Sequence, residues 1–353
     1  MKRLVQLVTI LAFCLGGCLG DDSATQAANA TGGAAGGGVG GSGGSSGASG
    51  GSSGGSSAMG GVAGMAGSAG AAAGGGNAGT GGGSAVTGGG VSVWPNADNT
   101  GVPKGTALTK YTGPCFIKDT VKIDAVDATE ACLALLIRAP NVEITRSKVP
   151  RIDVTDDKVG SVTISDSSVL GGDWVGGTLW GNNITARRVN VTGGQHSVHC
   201  SYNCTVEDSW LHDQHNPAGG SSHNNAFLSN GGSKMVVRHN TLHCTAILNS
   251  TGGGCTADLS LFGDFDNITD VLVENNLMKA NDSSISYCAY GGESTGKPYP
   301  LATQVRFIDN IFERGPNGKC GVYGAITSFD SSASGNVWKN NKWDDGAELK
   351  PSL

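Results

Sequence analysis

The chain has 353 residues, a formal charge of −6, and 60 glycines, 10 cysteines and 7 histidines. Loss of Lys2 and Arg3 with a cleaved leader would take the charge to −8 (−6 − 2), which excludes general nucleic-acid binding, since that function needs a basic domain. Eight cysteines lie beyond residue 114 with no CxxC pair among them, so disulfides are expected there and a cysteine metal site is not.

In chain order, Lys2 and Arg3 precede an apolar run from Leu4 to Leu15 and then Gly16-Gly17-Cys18. This basic–apolar–small order is that of an export signal and is too short to span a membrane. Its Leu15-Gly16-Gly17-Cys18 end resembles a bacterial lipobox, which implies a signal peptide over 1–17, lipidation at Cys18 and attachment to the outer membrane or cell surface. Residues 18–90 follow as a Gly/Ala/Ser-rich stretch; 29 of the glycines fall within 32–90. Such a stretch cannot bury enough apolar surface to order itself, so it reads as a disordered tether. At ~5.5 Å × √n, roughly 70 residues would reach about 45 Å.

Residues 91–353 form the folded domain, and from about residue 140 an eight-residue pattern recurs in it: apolar, any, apolar, two polar, Ser or Asn, any, apolar. Val142-Glu143-Ile144-Thr145-Arg146-Ser147-Lys148-Val149 is one copy, and Val271 to Met278 another. The bend positions Ser147, Ser167, Val189 and Ser209 are about 20 residues apart, and Asn240, Asn276, Asn310 and Asn341 follow at intervals of 31 to 36. Two period-2 runs joined by a polar bend cannot bury their own apolar face, so successive units must stack. An interval of 20 is too short for a propeller blade. The expected fold is all-β, a parallel β-helix of about 8–10 coils.

The bend asparagines, together with NTGVP (99–103), GGQHS (193–197), SWLHDQHNP (209–217) and GGGCTADLSLFGDF (252–265), resemble bacterial secreted right-handed parallel β-helix proteins of the pectate-lyase-like superfamily. The resemblance covers the chain from about Trp94 onward and implies a right-handed solenoid whose bend asparagines form a ladder. It does not imply one activity, because that superfamily includes lyases, hydrolases, epimerases and adhesins. Near-neighbour pairing suggests disulfides Cys115–Cys132, Cys200–Cys204, Cys244–Cys255 and Cys288–Cys320, although sequence leaves the pairing open.

All seven histidines fall between His196 and His243. Strand alternation turns Leu211, Leu242, Met278 and Phe312 inward and therefore Thr192, His212, His243, Lys279 and Glu313 outward, one per coil. Trp210, Thr241, Leu277 and Ile311 share that face, and Trp210 could stack on a sugar ring. The longer intervals (212–234, 243–270, 279–304 and 313–335) read as loops projecting from one side to wall a groove. His196, Asn225 and Asp258 align as a second row, with His223 nearby, while His199 and His215 read as solvent-facing loop residues.

A polysaccharide lyase needs a cation to neutralise a uronate carboxylate and a base to remove the neighbouring proton. His212 or His243 as base, with Asp213 beside them and Lys279 and Arg238 as carboxylate partners, supplies both; Lys279 could itself be the base. Arg238, Trp210, His196, His223, Asn225 and Glu313 complete the substrate-binding set. Asp258, Asp264 and Asp266 carry the hard oxygens a calcium ion takes, which makes calcium the one cofactor suggested. The expected partners are an anionic polysaccharide and, through Cys18, a membrane; a monomer is expected. The alternatives are a non-catalytic glycan-binding or adhesin-type lipoprotein and a glycoside hydrolase, which needs two carboxyl groups at a set separation.

Overall fold

The computed structural model describes residues 93–154, 159–281 and 285–351; the leader, Cys18 and the tether lie outside them. Each coil opens on an apolar–x–apolar strand whose side chains alternate between buried and exposed, as in Val142–Thr145 and Ile268–Glu274. The next residue takes a left-handed backbone (Arg146, Asp166, Asp208, His239 and Asn275 have φ between 46° and 52°), which breaks the strand line and turns the following bend residue inward.

Those bend residues satisfy one another. The Asn240 N–H donates to Asn276 Oδ1 (2.9 Å), that of Asn276 to Asn310 Oδ1 (2.9 Å) and that of Asn310 to Asn341 Oδ1 (3.0 Å). Their amide groups donate to the carbonyls of Val206, Val237 and Val273. In the earlier coils serine does the same with one oxygen: Ser147 N–H donates to Ser167 Oγ, and Val189 N–H to Ser209 Oγ. Every one of these bends is buried, so the ladder supplies partners that water cannot.

After the bend comes a short strand of two or three residues, then a loop, then a third strand. Stacking in register gives three parallel sheets. The first runs from Thr109–Lys110 to Lys342–Trp343, one strand per coil, and takes its register from pairs such as Trp210↔Thr241 and Leu277↔Ile311. The second includes Gly177–Gly181, His196–Cys200, His223–Ser229 and Gly254–Leu261. The third holds the nine apolar–x–apolar strands from Lys122–Asp124 to Val337–Lys339. In the early coil Lys148–Val154 a single strand serves both the first and second sheets. This is the right-handed parallel β-helix expected from the repeat, with one apolar core inside the coils.

The four disulfides join the near-neighbour pairs: Cys115–Cys132, Cys200–Cys204, Cys244–Cys255 and Cys288–Cys320. Four bridges in a chain of this size mark an exported protein. Coils approach closely at Gly232 (φ +128°), where a Cβ would stand 1.7 Å from Ser201 O, so only glycine fits.

One expectation needs correction. The long intervals are not single loops on one side, because each contains a strand of the second sheet, for example His223–Ser229 within 212–234. The extra length is therefore split between loops that precede the second sheet, such as 212–222 and 243–253, and loops that follow it, such as 262–267 and 292–301. These two sets wall the outer face of the second sheet on both sides. The turn at 96–103 opens the domain, but it belongs to a strap that runs back along the coils. Trp94 lies against His239, Gly101 N–H donates to Arg188 O and Thr109 N–H to Ala125 O. Gly101 is packed so closely on Ser168 and Asn190 that the strap covers part of the first sheet's outer face.

Candidate functional site

On the first sheet the strand parity is as expected. Leu211, Leu242, Met278 and Phe312 are fully buried, and His212, His243, Lys279 and Glu313 follow them in matched register. Asp344 extends the row by one coil, its N–H donating to Phe312 O, and an open cavity of about 530 Å³ lies there between Glu313, Arg314, Gly315, Asp344 and Asp345.

The members of this row are not equivalent. His212 is buried, with Nδ1 2.8 Å from Asp213 Oδ2, Nε2 3.0 Å from Asn190 Oδ1 and the Trp210 ring stacked on its face. Burial pushes its pKa down against the pull of Asp213. With both nitrogens and one face occupied, it is a positioned residue rather than an open base. His243 is half-buried, and its imidazole has no hydrogen-bond partner among the described residues. Burial and the Lys279 ammonium lower its pKa, which leaves it neutral and able to accept a proton at pH 7. Lys279 Nζ lies 2.7 Å from Glu313 Oε1. Burial opposes ionisation of Glu313, but Lys279 and the Ala280 N–H outweigh it and hold its carboxyl below the ordinary range. The lysine's charge is thus already balanced.

Arg238 does not join this row. It ends a strand of the third sheet, across the bend at Asn240, and its guanidinium bridges Glu207 (2.9 Å) and Glu274 (2.7 Å). Its nearness in sequence to His243 is undone by the turn at His239.

The second row lies on the second sheet, separated from the first by the 212–222 loop. His196 pairs in register with Asn225, whose amide nitrogen is 3.3 Å from His196 Nδ1, and Ser260 Oγ donates to Asn225 Oδ1. Burial first, then His199 and His223, lowers the His196 pKa well below its ordinary value. Exposed His223 begins the strand that carries Asn225. Asp258 is not the third member: Asn225 pairs with Ala257, and Asp258 is fully buried.

The expected calcium cluster is not assembled either, because each of its aspartates has a separate partner. Asp258 is fully buried and accepts the Cys244 N–H (2.7 Å), while Asp264 pairs with Lys297 (2.8 Å) and Asp266 accepts from Tyr202. Among the described residues, the one group with metal-ligating atoms within 4.8 Å is Asp258, Cys288 and Cys320, and its two sulfurs are bonded to each other.

Burial holds the Asp258 pKa well above the usual carboxylate value, so the folded protein keeps it neutral. As pH rises through 3.8 the unfolded chain releases this proton and the folded chain does not, so stability is full below that pH and falls as pH rises. Asp258→Asn, which cannot ionise, should match the parent in acid and grow progressively more stable than it towards neutrality. Urea unfolding at a series of pH values reads this; a gap that does not change with pH would refute it.

His215 is the loop residue expected, and His199 is not. His215 lies in a loop near Asp173, but His199 belongs to the strand His196–Cys200, and its ring is parallel to Trp180 at 5.9 Å. Burial pushes the His199 pKa down to about 4. It belongs to an outward row that sequence reading missed: Trp180, His199, Leu228, Ser260, Tyr290 and Thr327 stand in register on six successive coils of the second sheet. Each follows an inward apolar residue (Leu179, Val198, Phe227, Leu259, Ala289 or Ile326), and that offset was the available signal. Aromatic rings gather at both ends: Trp174 joins Trp180, and Phe262 and Tyr287 join Tyr290.

Comparison with protein-family models, with curated proteins and with solved structures gives no match for this chain.

Proposed function

We propose that this is an exported, lipid-anchored β-helix protein of the pectate-lyase-like superfamily that binds an extended polysaccharide along the outer face of its second sheet without cleaving it. The family reading rests on the bend-asparagine ladder, the three parallel sheets and the motifs quoted above; the anchor reading rests on Leu15 to Cys18. The observation that carries the binding reading is the six-coil row from Trp180 to Thr327, which lies between two loop sets and has aromatic rings at each end. A flat ring face and nearby polar groups suit the apolar face and hydroxyl edge of a pyranose. No carboxylate or lysine stands at any of these six positions; Asp153, in register with Trp180 on the coil before, is held by Arg151 and Arg138, so it does not offer a second free carboxyl group.

Affinity electrophoresis through gels containing single polysaccharides tests this reading. Retardation by at least one glycan is expected, and no retardation by any of a broad panel would reject it.

One observation favours a second reading, elimination on the first sheet: the neutral, unpartnered His243 imidazole stands beside Lys279. There Lys279 would exchange Glu313 for a uronate carboxylate while His243 removes the neighbouring proton. Absorbance from an unsaturated uronide, appearing with polyuronate and lost in His243→Ala with binding retained, would establish it. The binding reading expects no such product.

A further inference from the structure

We infer, resting on the binding reading above, that the ligand of the second-sheet face is a neutral polysaccharide, held by two aromatic platforms and lying along the solenoid axis. The charges on that face decide this. The neighbouring outward positions His196, Asn225, Ala257 and Tyr287 are as free of lysine, arginine, aspartate and glutamate as the six-coil row itself. Four cations touch aromatic rings of this sheet: Lys118 and Arg138 at Phe116, three coils before Trp180, and Arg151 and Lys297 at the two platforms, where both are balanced. Arg151 lies 3.7 Å over the Trp174 ring and pairs with Asp153 (3.4 Å). Lys297 lies 4.9 Å from the Phe262 ring centre and pairs with Asp264 (2.8 Å).

The histidines do not supply charge either. Burial pushes His196 and His199 down, so both are neutral at pH 7. A polyuronate laid on this face would bring a carboxylate to every sugar and find no unpaired cation over the central coils, so each carboxylate would lose water without compensation. A neutral chain meets no such cost.

The geometry suits a linear chain. Trp180 and Tyr290 are four coil steps apart, and at ~4.8 Å per step that is about 19 Å. Trp174, exposed beside Trp180, and Tyr323, exposed beside Tyr287, widen the two platforms. Between them Leu228 and Ser260 are uncharged and buried, so the platforms stand above them.

The test is affinity electrophoresis of the full chain with neutral 1,4-linked glucan, mannan and xylan beside polygalacturonate and alginate, at low and at molar salt. Retardation by a neutral glycan that persists at molar salt is expected, with none by the two polyuronates. Trp180→Ala and Tyr290→Ala should each weaken binding by about tenfold, while Trp180→Phe retains most of it. Unchanged circular dichroism separates loss of stacking from loss of fold. Polyuronate binding that fades with salt would overturn the neutral assignment and leave glycan binding standing. Failure of every glycan to bind would overturn both. Neutral-glycan binding indifferent to Trp180→Ala and Tyr290→Ala in folded protein would overturn the two platforms.

Discussion

Asn276→Ala is expected to lower the unfolding free energy by about 3 kcal/mol or more. Asn276 is fully buried and serves three coils at once. Its Oδ1 accepts from the Asn240 N–H and amide group, and its own amide donates to Val237 O and Asn310 Oδ1. Alanine leaves these groups dry and unpartnered, at about 1–3 kcal/mol for each buried group that finds no substitute. Asn276→Ser should recover part of the loss, because Ser147, Ser167 and Ser209 already do the acceptor's work in earlier coils. The midpoint of urea unfolding followed by circular dichroism reads both variants. A loss below about 1 kcal/mol for alanine would mean that the bend finds other partners and that the ladder is not a main source of stability.

Phe227→Ala should cost about 3–5 kcal/mol. The ring is fully buried, in register with Val198 of the coil before and Leu259 of the coil after, so its removal opens a cavity shared by three coils. Parallel coils joined by ladder hydrogen bonds cannot close over a space of that size. Phe227→Leu, which keeps most of the volume, should cost far less. Calorimetry of the disulfide-intact protein measures the difference. If alanine and leucine give the same melting temperature, the interior is looser than this packing implies. Because Leu228 follows Phe227 on the outer row, this experiment also probes the floor beneath the proposed glycan face.

Much of the solenoid was legible in the sequence because its cause is local. The apolar–x–apolar run, the left-handed bend residue and the inward Ser or Asn all lie within eight residues, and each copy repeats the same physical problem. The disulfides were legible for a similar reason, with partners separated by 4 to 32 residues, within one coil or in neighbouring coils. Strand parity then placed His212, His243, Lys279 and Glu313 on one row. The candidate site was less legible. Asp258 was misplaced by one position, because coils joined by loops of unequal length do not reveal in sequence which of two neighbouring residues stands opposite Asn225. Arg238 was misplaced because a bend that sets a row's start also moves the residues before it to another sheet.

By itself the sequence determined the stacked-coil architecture, the bend ladder and the outward row of the first sheet, since all three follow from short-range alternation. Only the tertiary structure decided which side chains have partners: Asp213 and Asn190 close off His212, Glu313 balances Lys279, and two glutamates hold Arg238. Those partners come from other coils or from beyond a bend. The outward row of the second sheet is likewise spread over about 150 residues, from Trp180 to Thr327, and becomes one surface only when the coils stack.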